Sequence, residues 1–255
     1  MPQVVACPIC AEATVDYGTQ TVLGKYPADY RRCTSCGVVF VNGPTWLEEA
    51  YAEPINEEDS GLLQRCAVMS KKASLILAGE RITKGRFLDW GGGYGTFSRM
   101  MRDRGYDFFH SDPFTNNLFA RGFEDQPGTR YDLITAFEVF EHLGDPYAEL
   151  APTAARTDRL LFTTGILPEP APAVDDWFYF GPEHGQHITL HTTESLRVLG
   201  ERLGFQLATN GYNLHLYHRE PLKAPTRLIF SDAVRTARRN VKRLVSIPAA
   251  KLADR

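Results

Sequence analysis

The sequence predicts an α/β protein: a doubly wound, mostly parallel sheet preceded by a small cysteine-built module. Three observations carry that prediction. Four glycines fall in five positions, Gly91 to Gly95, between an apolar strand and a helix-like run. Strand-like and helix-like segments alternate on the C-terminal side of that loop, the pattern of helices covering both faces of a parallel sheet. Two Cys-x-x-Cys pairs, Cys7/Cys10 and Cys33/Cys36, lie ahead of it.

Residues 1–42 read as one small unit, with "CPIC" and "CTSCG" as tight turns and "ATVDYG" and "VVFVN" as short strands. Residues 43–84 read as a linker followed by a lid helix. The stretch 43–60 is polar and acidic, a linker or a loosely held helix, whereas Leu62, Cys66, Met69, Ala73 and Leu77 have helical spacing. Residues 85–220 form the main domain. "RFLDW" is a strand, "TFSRMMRDRG" a helix ending at a glycine, "YDFFHSD" a strand and "NNLFARG" helical. "YDLITAFEVFEHL" opens as a strand, "PYAELAPTAAR" is a helix that Pro152 threatens to split, and "RLLFTTG" is a further strand. "TTESLRVLGERLG" has capping threonines and leucines at 196, 199 and 203, and Asn210–Gly211 marks a hairpin. Residues 221–255 form a basic helical tail, with eight basic and two acidic side chains from Arg227 onward. It reads first as a solvated helix packed on the domain, with weak membrane-surface contact as the alternative.

The chain has 255 residues, is 43% hydrophobic and 23% charged, and carries a formal net charge of −3. That suits one large domain plus a module and argues against overall disorder or general polyanion binding. No apolar run approaches the roughly 18 residues of a membrane span. The start has neither a basic segment nor a long apolar one, so the expected location is the cytoplasm. There, paired cysteines are better metal ligands than disulfides. Four sulfurs in two knuckles suit a tetrahedral structural zinc held by Cys7, Cys10, Cys33 and Cys36. The fifth, Cys66, reads as a buried thiol.

The glycine loop lets a ligand approach the backbone closely and turns amide N–H groups toward it. Gly91, Gly93 and Gly95 are spaced Gly-x-Gly-x-Gly, one residue tighter than the usual dinucleotide fingerprint, and no Gly-Lys-Ser/Thr follows. Asp89 precedes the loop and Asp112 ends the next strand, where an acid can accept ribose hydroxyls. Together the loop and acids describe a nucleoside pocket.

"FLDWGGGYG", "SDPF" and "YDLITAFEVFEHLGDP", in that order, resemble the class I S-adenosylmethionine-dependent methyltransferases over about residues 86–205. Within them the chain resembles the small-molecule group, acting on sugars or natural products, with Glu-x-x-Glu-His after the fourth strand. The resemblance implies a Rossmann-like seven-stranded sheet with S-adenosylmethionine as cofactor. Gly91, Gly93 and Gly95 would lie against its methionine part, Asp89 would hold the amino group and Asp112 the ribose. Phe114 and residues near Glu124–Asp125 would flank the adenine, and Phe137 and Glu138 would floor the sulfonium. Trp90 and Gly92 depart from the usual residues of the motif.

Two segments bear the chemistry. "EVFEHLGDP" offers Glu138, Glu141, His142 and Asp145 at a strand's carboxyl end. His142 reads equally as a general base or a pocket wall. These groups suit a divalent ion only if they converge, and a shared helix would spread them. "DDWFYFGPEHGQHITLH" offers aromatic faces for an organic acceptor and three histidines. By the same resemblance His187 is the leading base, ahead of His142 and His184. Trp177, Tyr179, Gln186 and His191 are then the acceptor-binding candidates, Tyr179 and Gln186 orienting the acceptor. The expected reaction is methyl transfer to a hydroxyl of a small molecule, a sugar or glycan precursor or a natural product. Sugar C-methylation is an alternative, since the cysteine module resembles that of enzymes acting on nucleotide-linked sugars. RNA methylation is another, docking through Lys25, Arg31, Arg32 and the basic tail. A cap or lid over the main domain is the preferred role of the module. The sequence leaves the oligomeric state open.

Overall fold

The computed structural model describes residues 5–52 and 61–231. Among them, ten strands and six α-helices follow in the order β1 (Thr14–Val22), β2 (Tyr26–Cys33), β3 (Val39–Val41), α1 (Leu47–Ala50), α2 (Leu62–Glu80), β4 (Arg86–Trp90), α3 (Thr96–Arg102), β5 (Asp107–Ser111), β6 (Leu133–Phe137), α4 (Pro146–Ala154), β7 (Arg159–Thr163), β8 (Thr189–Leu190), α5 (Thr193–Arg202), β9 (Gln206–Thr209), β10 (Leu214–His218) and α6 (Ala224–Ile229).

The main sheet has the order β5-β4-β6-β7-β10-β9. The first four strands are parallel, and β10 joins antiparallel to both β7 and β9. Six strands form where seven were expected; beyond β5 a single parallel bridge, His110 to Glu124, stands in place of a further strand. Successive residues of a strand face opposite ways. Phe87, Phe108, Leu133 and Leu161 therefore pack with α2 and α3 residues Ala73, Leu77, Phe97 and Met101. Leu88, Ile134, Ala136, Leu160 and Phe162 pack with Leu150, Leu196 and Leu199 of α4 and α5 on the other face. The switch in strand order falls between β4 and β6, whose carboxyl ends open the crevice of such sheets.

Helix α2 buries Met69, Ala73, Ile76 and Leu77 in this core, while Leu62, Arg65 and Cys66 in its first turns line the cleft at the strand ends. Its last residue, Glu80, is fully buried, where its carboxylate accepts from Arg159 Nε at 3.3 Å and the Lys223 amide at 3.0 Å. The helix expected at "NNLFARG" is a turn: Asn117 accepts from the Ala120 amide at 2.9 Å and donates to its carbonyl at 2.8 Å, closing the chain on itself. Helix α4 runs through Pro152, which forfeits only the bond to the Ala148 carbonyl one turn back. Residues 232–255 of the expected basic tail lie outside the described residues; α6 precedes them.

The second sheet, β1-β2-β3-β8, is antiparallel, and its last strand comes from the main chain after β7. The expected boundary at residue 42 is thus no break. Cys7, Ile9, Cys33, Cys36, Val38 and Phe40 share one buried cluster with Leu196 and Leu199. The Thr192 hydroxyl, which caps α5, also donates to the Cys36 carbonyl at 2.6 Å, and Arg202 at the other end of α5 donates to the Ile9 carbonyl.

Gly200 of α5 faces the buried Tyr217 ring, and a Cβ there would lie 2.6 Å from Tyr217 Cε1. In an open helix Gly→Ala stabilises by about 1 kcal/mol, whereas overpacking a core costs about 1–3 kcal/mol. Gly200→Ala is expected to lower stability by about 1 kcal/mol, read as a drop of about 2–4 °C in Tm; an unchanged or higher Tm contradicts this packing.

Candidate functional site

A cleft of about 2240 Å³ runs between the carboxyl ends of the parallel strands and the small sheet. At one pole stands the glycine loop. Gly91, Gly93 and Gly95 adopt positive φ (70°, 57° and 83°), open to glycine without strain. Gly92 is constrained differently: a Cβ there would sit 2.5 Å from Asp89 Oδ2 and 2.6 Å from His110 Nδ1. The loop therefore folds directly over a carboxylate. Asp89 is 2% exposed, accepting from Thr135 Oγ1 at 2.7 Å and, at longer range, Ser98 Oγ at 3.4 Å. No cation pairs with it among these contacts, and burial pushes its carboxyl up to about 7.

The loop's amides were expected to face a ligand. Instead those of Gly91 and Gly92 donate to the Ser111 carbonyl, that of Gly95 to Gly92, and that of Gly93 to Asp112 Oδ2 at 2.9 Å. The loop offers a close backbone surface more than a row of free donors. Asp112 also accepts from the amides of Phe114 and Thr115 at 2.9 and 2.8 Å, so it organises the turn. Oδ1 takes both of those bonds, whereas Oδ2, which accepts only from Gly93, keeps a second lone pair for a hydroxyl. Phe114, 57% exposed, stacks on Tyr51 at 4.4 Å and 14°. Phe137 lines the floor with its ring edge-on to Phe97 at 4.8 Å. Of the expected adenine neighbours, Asp125 is committed to Arg156 at 2.6 Å, and Glu124 accepts from Asn117 and Gly122; neither lines the cleft.

At the other pole Glu138 takes a left-handed conformation (φ 53°), strained for a residue with a Cβ, at the carboxyl end of β6. Burial, with the Glu141 charge added, pushes its carboxyl up to about 7. The following tight turn, Phe140–His142, sends Glu141 inward and His142 to the cleft wall. Glu141 is fully buried, and its Oε1 accepts from the Tyr179 hydroxyl at 2.7 Å. That hydroxyl also accepts from the Gly165 amide at 2.8 Å. Tyr179, expected to orient an acceptor, thus has its polar tip engaged by the protein.

His187 and His142 converge, their ring centroids 5.2 Å apart, and His184 stands 4.6 Å from His187. His187 Nδ1 is 2.6 Å from the Tyr179 carbonyl, which can only accept. The proton therefore sits on Nδ1, and a neutral ring leaves its lone pair on Nε2. Burial lowers the pKa of both His142 and His187, which keeps them neutral. His142 Nδ1 meets the Tyr51 hydroxyl at 2.9 Å. Gln186 lines the cleft, though its side-chain amide donates to the Ala50 carbonyl at 2.8 Å. Trp177 lines it as well and packs on Tyr179 at 5.0 Å. His191 does not reach it. Its ring is fully buried between the Phe140 carbonyl (3.3 Å) and Ser195 Oγ (3.4 Å).

The small sheet contributes a wall whose residues sequence reasoning had not named as cleft-lining: Cys33 to Gly37 and Arg32 line the cleft. Tyr51 was missed too, although Trp46, Leu47, Ala50 and Tyr51 have helical spacing inside the stretch read as linker. The four cysteine sulfurs cluster within 4.8 Å, with Cys7–Cys36 at 3.7 Å and Cys10–Cys33 at 3.4 Å. Tetrahedral bonds of about 2.3 Å to one ion set sulfurs roughly 3.8 Å apart, so the spacing fits a shared ion and is far beyond a disulfide. Amides of Ile9, Ser35 and Cys36 donate to these sulfurs at 3.4 Å, as suits thiolates. The expected nucleic-acid face is partly neutralised: Lys25 pairs with Glu49 at 2.8 Å and Arg31 with Asp16.

The sheet, its switch point and the glycine loop define a Rossmann-like methyltransferase of the class I, S-adenosylmethionine-dependent kind. A family model described as "Methyltransferase domain" matches residues 64–210, and the chain belongs to that family. No curated protein matches the chain. Similar solved structures include a magnesium protoporphyrin IX methyltransferase from Synechocystis PCC 6803 with bound SAH (16% identity, 69% of this chain and 87% of that one, TM-score 0.43). Another is the mitomycin 7-O-methyltransferase MmcR (16% identity, 70% of this chain and 62% of that one, TM-score 0.48).

The buried Asp89 makes stability depend on pH. The native state keeps a proton that the unfolded chain releases near its ordinary pKa of about 3.9. Stability therefore falls as pH rises from there through about 7, and levels off above. Asp89→Asn is expected to flatten its share of that slope, measured by urea unfolding at pH 5 and pH 8; a slope equal to that of the parent protein contradicts it.

Proposed function

We propose that the protein transfers the methyl group of S-adenosylmethionine to a hydroxyl of a small organic acceptor, of the sugar, glycan-precursor or natural-product kind. The observation that carries the reading is a two-pole cleft: a glycine loop over a buried, uncompensated carboxylate at one end, and neutral imidazoles beside an aromatic wall at the other. When bound, the cofactor supplies an activated methyl group, so the chain need only align the acceptor and take up its proton. Asp89 is the partner for the cofactor's ammonium, whose positive charge would draw that carboxyl back toward its ionised form. Asp112 is the ribose acceptor, and Phe114 is the adenine's neighbour. Phe137 and Glu138 lie under the sulfonium. His187 is the general base through Nε2, with His142 and His184 beside it and Trp177 against the acceptor. The four cysteines hold a structural zinc, which fixes the wall formed by residues 33–37. Closure of that wall over the cleft supports a small acceptor over a folded RNA.

Removing the Asp89 charge by Asp89→Asn is expected to weaken S-adenosylmethionine binding about 10–100-fold in calorimetric titration; equal affinity contradicts the assignment. With an acceptor found from a panel of hydroxylated small molecules, His187→Ala should lower kcat about 10²–10⁴-fold and leave cofactor affinity unchanged. Burial holds the His187 pKa below its usual value, so the parent's rate should fall only at acidic pH, as the base becomes protonated. A variant keeping both the rate and that acidic limb excludes His187 as base. Metal analysis should find one zinc per chain, lost in Cys33→Ser together with thermal stability.

A further inference from the structure

Glu141, His142 and His187 each offer a ligand atom, and the three atoms lie within 4.8 Å of one another. They come from separate places: a tight turn after β6 and the segment entering β8. One polar atom of each side chain is already held. Tyr179 O–H donates to Glu141 Oε1 at 2.7 Å, the Tyr179 carbonyl accepts from His187 Nδ1 at 2.6 Å, and the Tyr51 hydroxyl meets His142 Nδ1 at 2.9 Å. What remains is Oε2 of a fully buried glutamate and the Nε2 atoms of two imidazoles. Among the described residues, buried Oε2 of Glu141 has no hydrogen-bond partner within normal distance and angle, an orphan that native interiors rarely tolerate.

We propose that these three side chains form a second metal site, distinct from the cysteine cluster, for a borderline divalent transition ion of the Zn²⁺, Co²⁺, Mn²⁺ or Fe²⁺ class. Two imidazoles and one carboxylate are the donor set such ions favour, whereas Mg²⁺ and Ca²⁺ prefer all-oxygen surroundings. Tetrahedral bonds of about 2.0–2.1 Å place donors roughly 3.4 Å apart, a spacing the three side chains would reach by rotation on binding. The ion would satisfy the orphaned oxygen and supply the positive charge that a buried carboxylate lacks. Tyr179 and Tyr51 are the outer-shell partners that orient metal-binding side chains. His142 and His187 line the cleft, so a coordination position is open to an acceptor oxygen. Ion and proton draw on the same His187 lone pair, so metal loading replaces the free base with a Lewis acid that lowers an acceptor hydroxyl's proton affinity. That consequence rests on the methyl-transfer reading; the binding site itself does not.

The test uses full-length protein with its cysteine cluster loaded with zinc, titrated with Co²⁺ and followed by visible absorption and calorimetry. The expected result is one further equivalent per chain, with ligand-field bands but no intense thiolate-to-cobalt band. Affinity should fall at least 10-fold in Glu141→Gln and in His142→Gln/His187→Gln, and about 10–100-fold in Tyr51→Phe. Tyr51→Phe removes one hydroxyl and guards against misreading a ligand variant that does not fold. No second equivalent, thiolate bands alone, or parent-like affinity in Glu141→Gln and Tyr51→Phe overturns the proposal. S-adenosylmethionine titrated into the same metal-loaded and metal-free samples reports separately on the cofactor pole, so failure of one reading is distinguishable from failure of the other.

Discussion

A carboxylate buried without a countercharge among the described residues is the constraint on which the rest of the cleft depends. Asp89 is the penultimate residue of the central strand β4, is 2% exposed, and is held among the described residues by two hydroxyls rather than by a cation. Burying a charge this way is expensive, and its raised pKa records the penalty. The surroundings fit that one group. Thr135 on β6 supplies a hydroxyl where a purely apolar strand would have placed a valine. Ser98 on α3 does the same from the helix. Gly92 lacks a side chain because the carboxylate and the His110 ring fill the space. A fold that tolerates such a group at the mouth of its crevice keeps a position primed for a cation, and the methyl-transfer reading gives that position an occupant.

The opposite pole follows a complementary logic. There the chain gathers Glu138, Glu141, His142, His184 and His187, and burial pushes the carboxyls toward neutral while holding the paired imidazoles of His142 and His187 deprotonated. Both shifts act against charge, as suits a poorly solvated wall. The second also keeps imidazole lone pairs free near neutral pH. Tyr179 ties the arrangement together: its hydroxyl spans Glu141 and the Gly165 amide, and its carbonyl fixes the His187 tautomer. Its contribution is to hold other groups in place.

How much of this was readable in advance depended on whether the signal was local. The strand–loop–helix at 86–102 was readable because apolar runs, glycines and helical spacing are contiguous in the chain. So were the two cysteine knuckles. "NNLFARG" misled because apolar spacing suggested a helix while Asn117 could bond its own backbone, and the short side chain prevailed. His184, His187 and His191 looked alike in sequence; only partners distant in the chain distinguish them, His187 at the cleft against the Tyr179 carbonyl and His191 in the core between the Phe140 carbonyl and Ser195. Tyr51 escaped because its partners, Phe114 and His142, are 63 and 91 residues away in the chain, and no spacing rule reaches that far.

The module illustrates the same limit at the scale of domains. A boundary at residue 42 is natural from composition, since a cysteine-rich ribbon is followed by an acidic stretch. Yet β3 pairs with β8, Thr192 caps α5 and binds the Cys36 carbonyl, and Arg202 reaches the Ile9 carbonyl. Each contact joins the ribbon to the segment that carries His187 or to the helix just after it. A small unit with little core of its own gains rigidity by borrowing a neighbour's. Here it borrows the stretch that forms the histidine wall, so whatever orders the four sulfurs also orders the far side of the cleft. That coupling gives the cysteine cluster a part in shaping the site, though its sulfurs stand apart from the histidines and hold none of them directly.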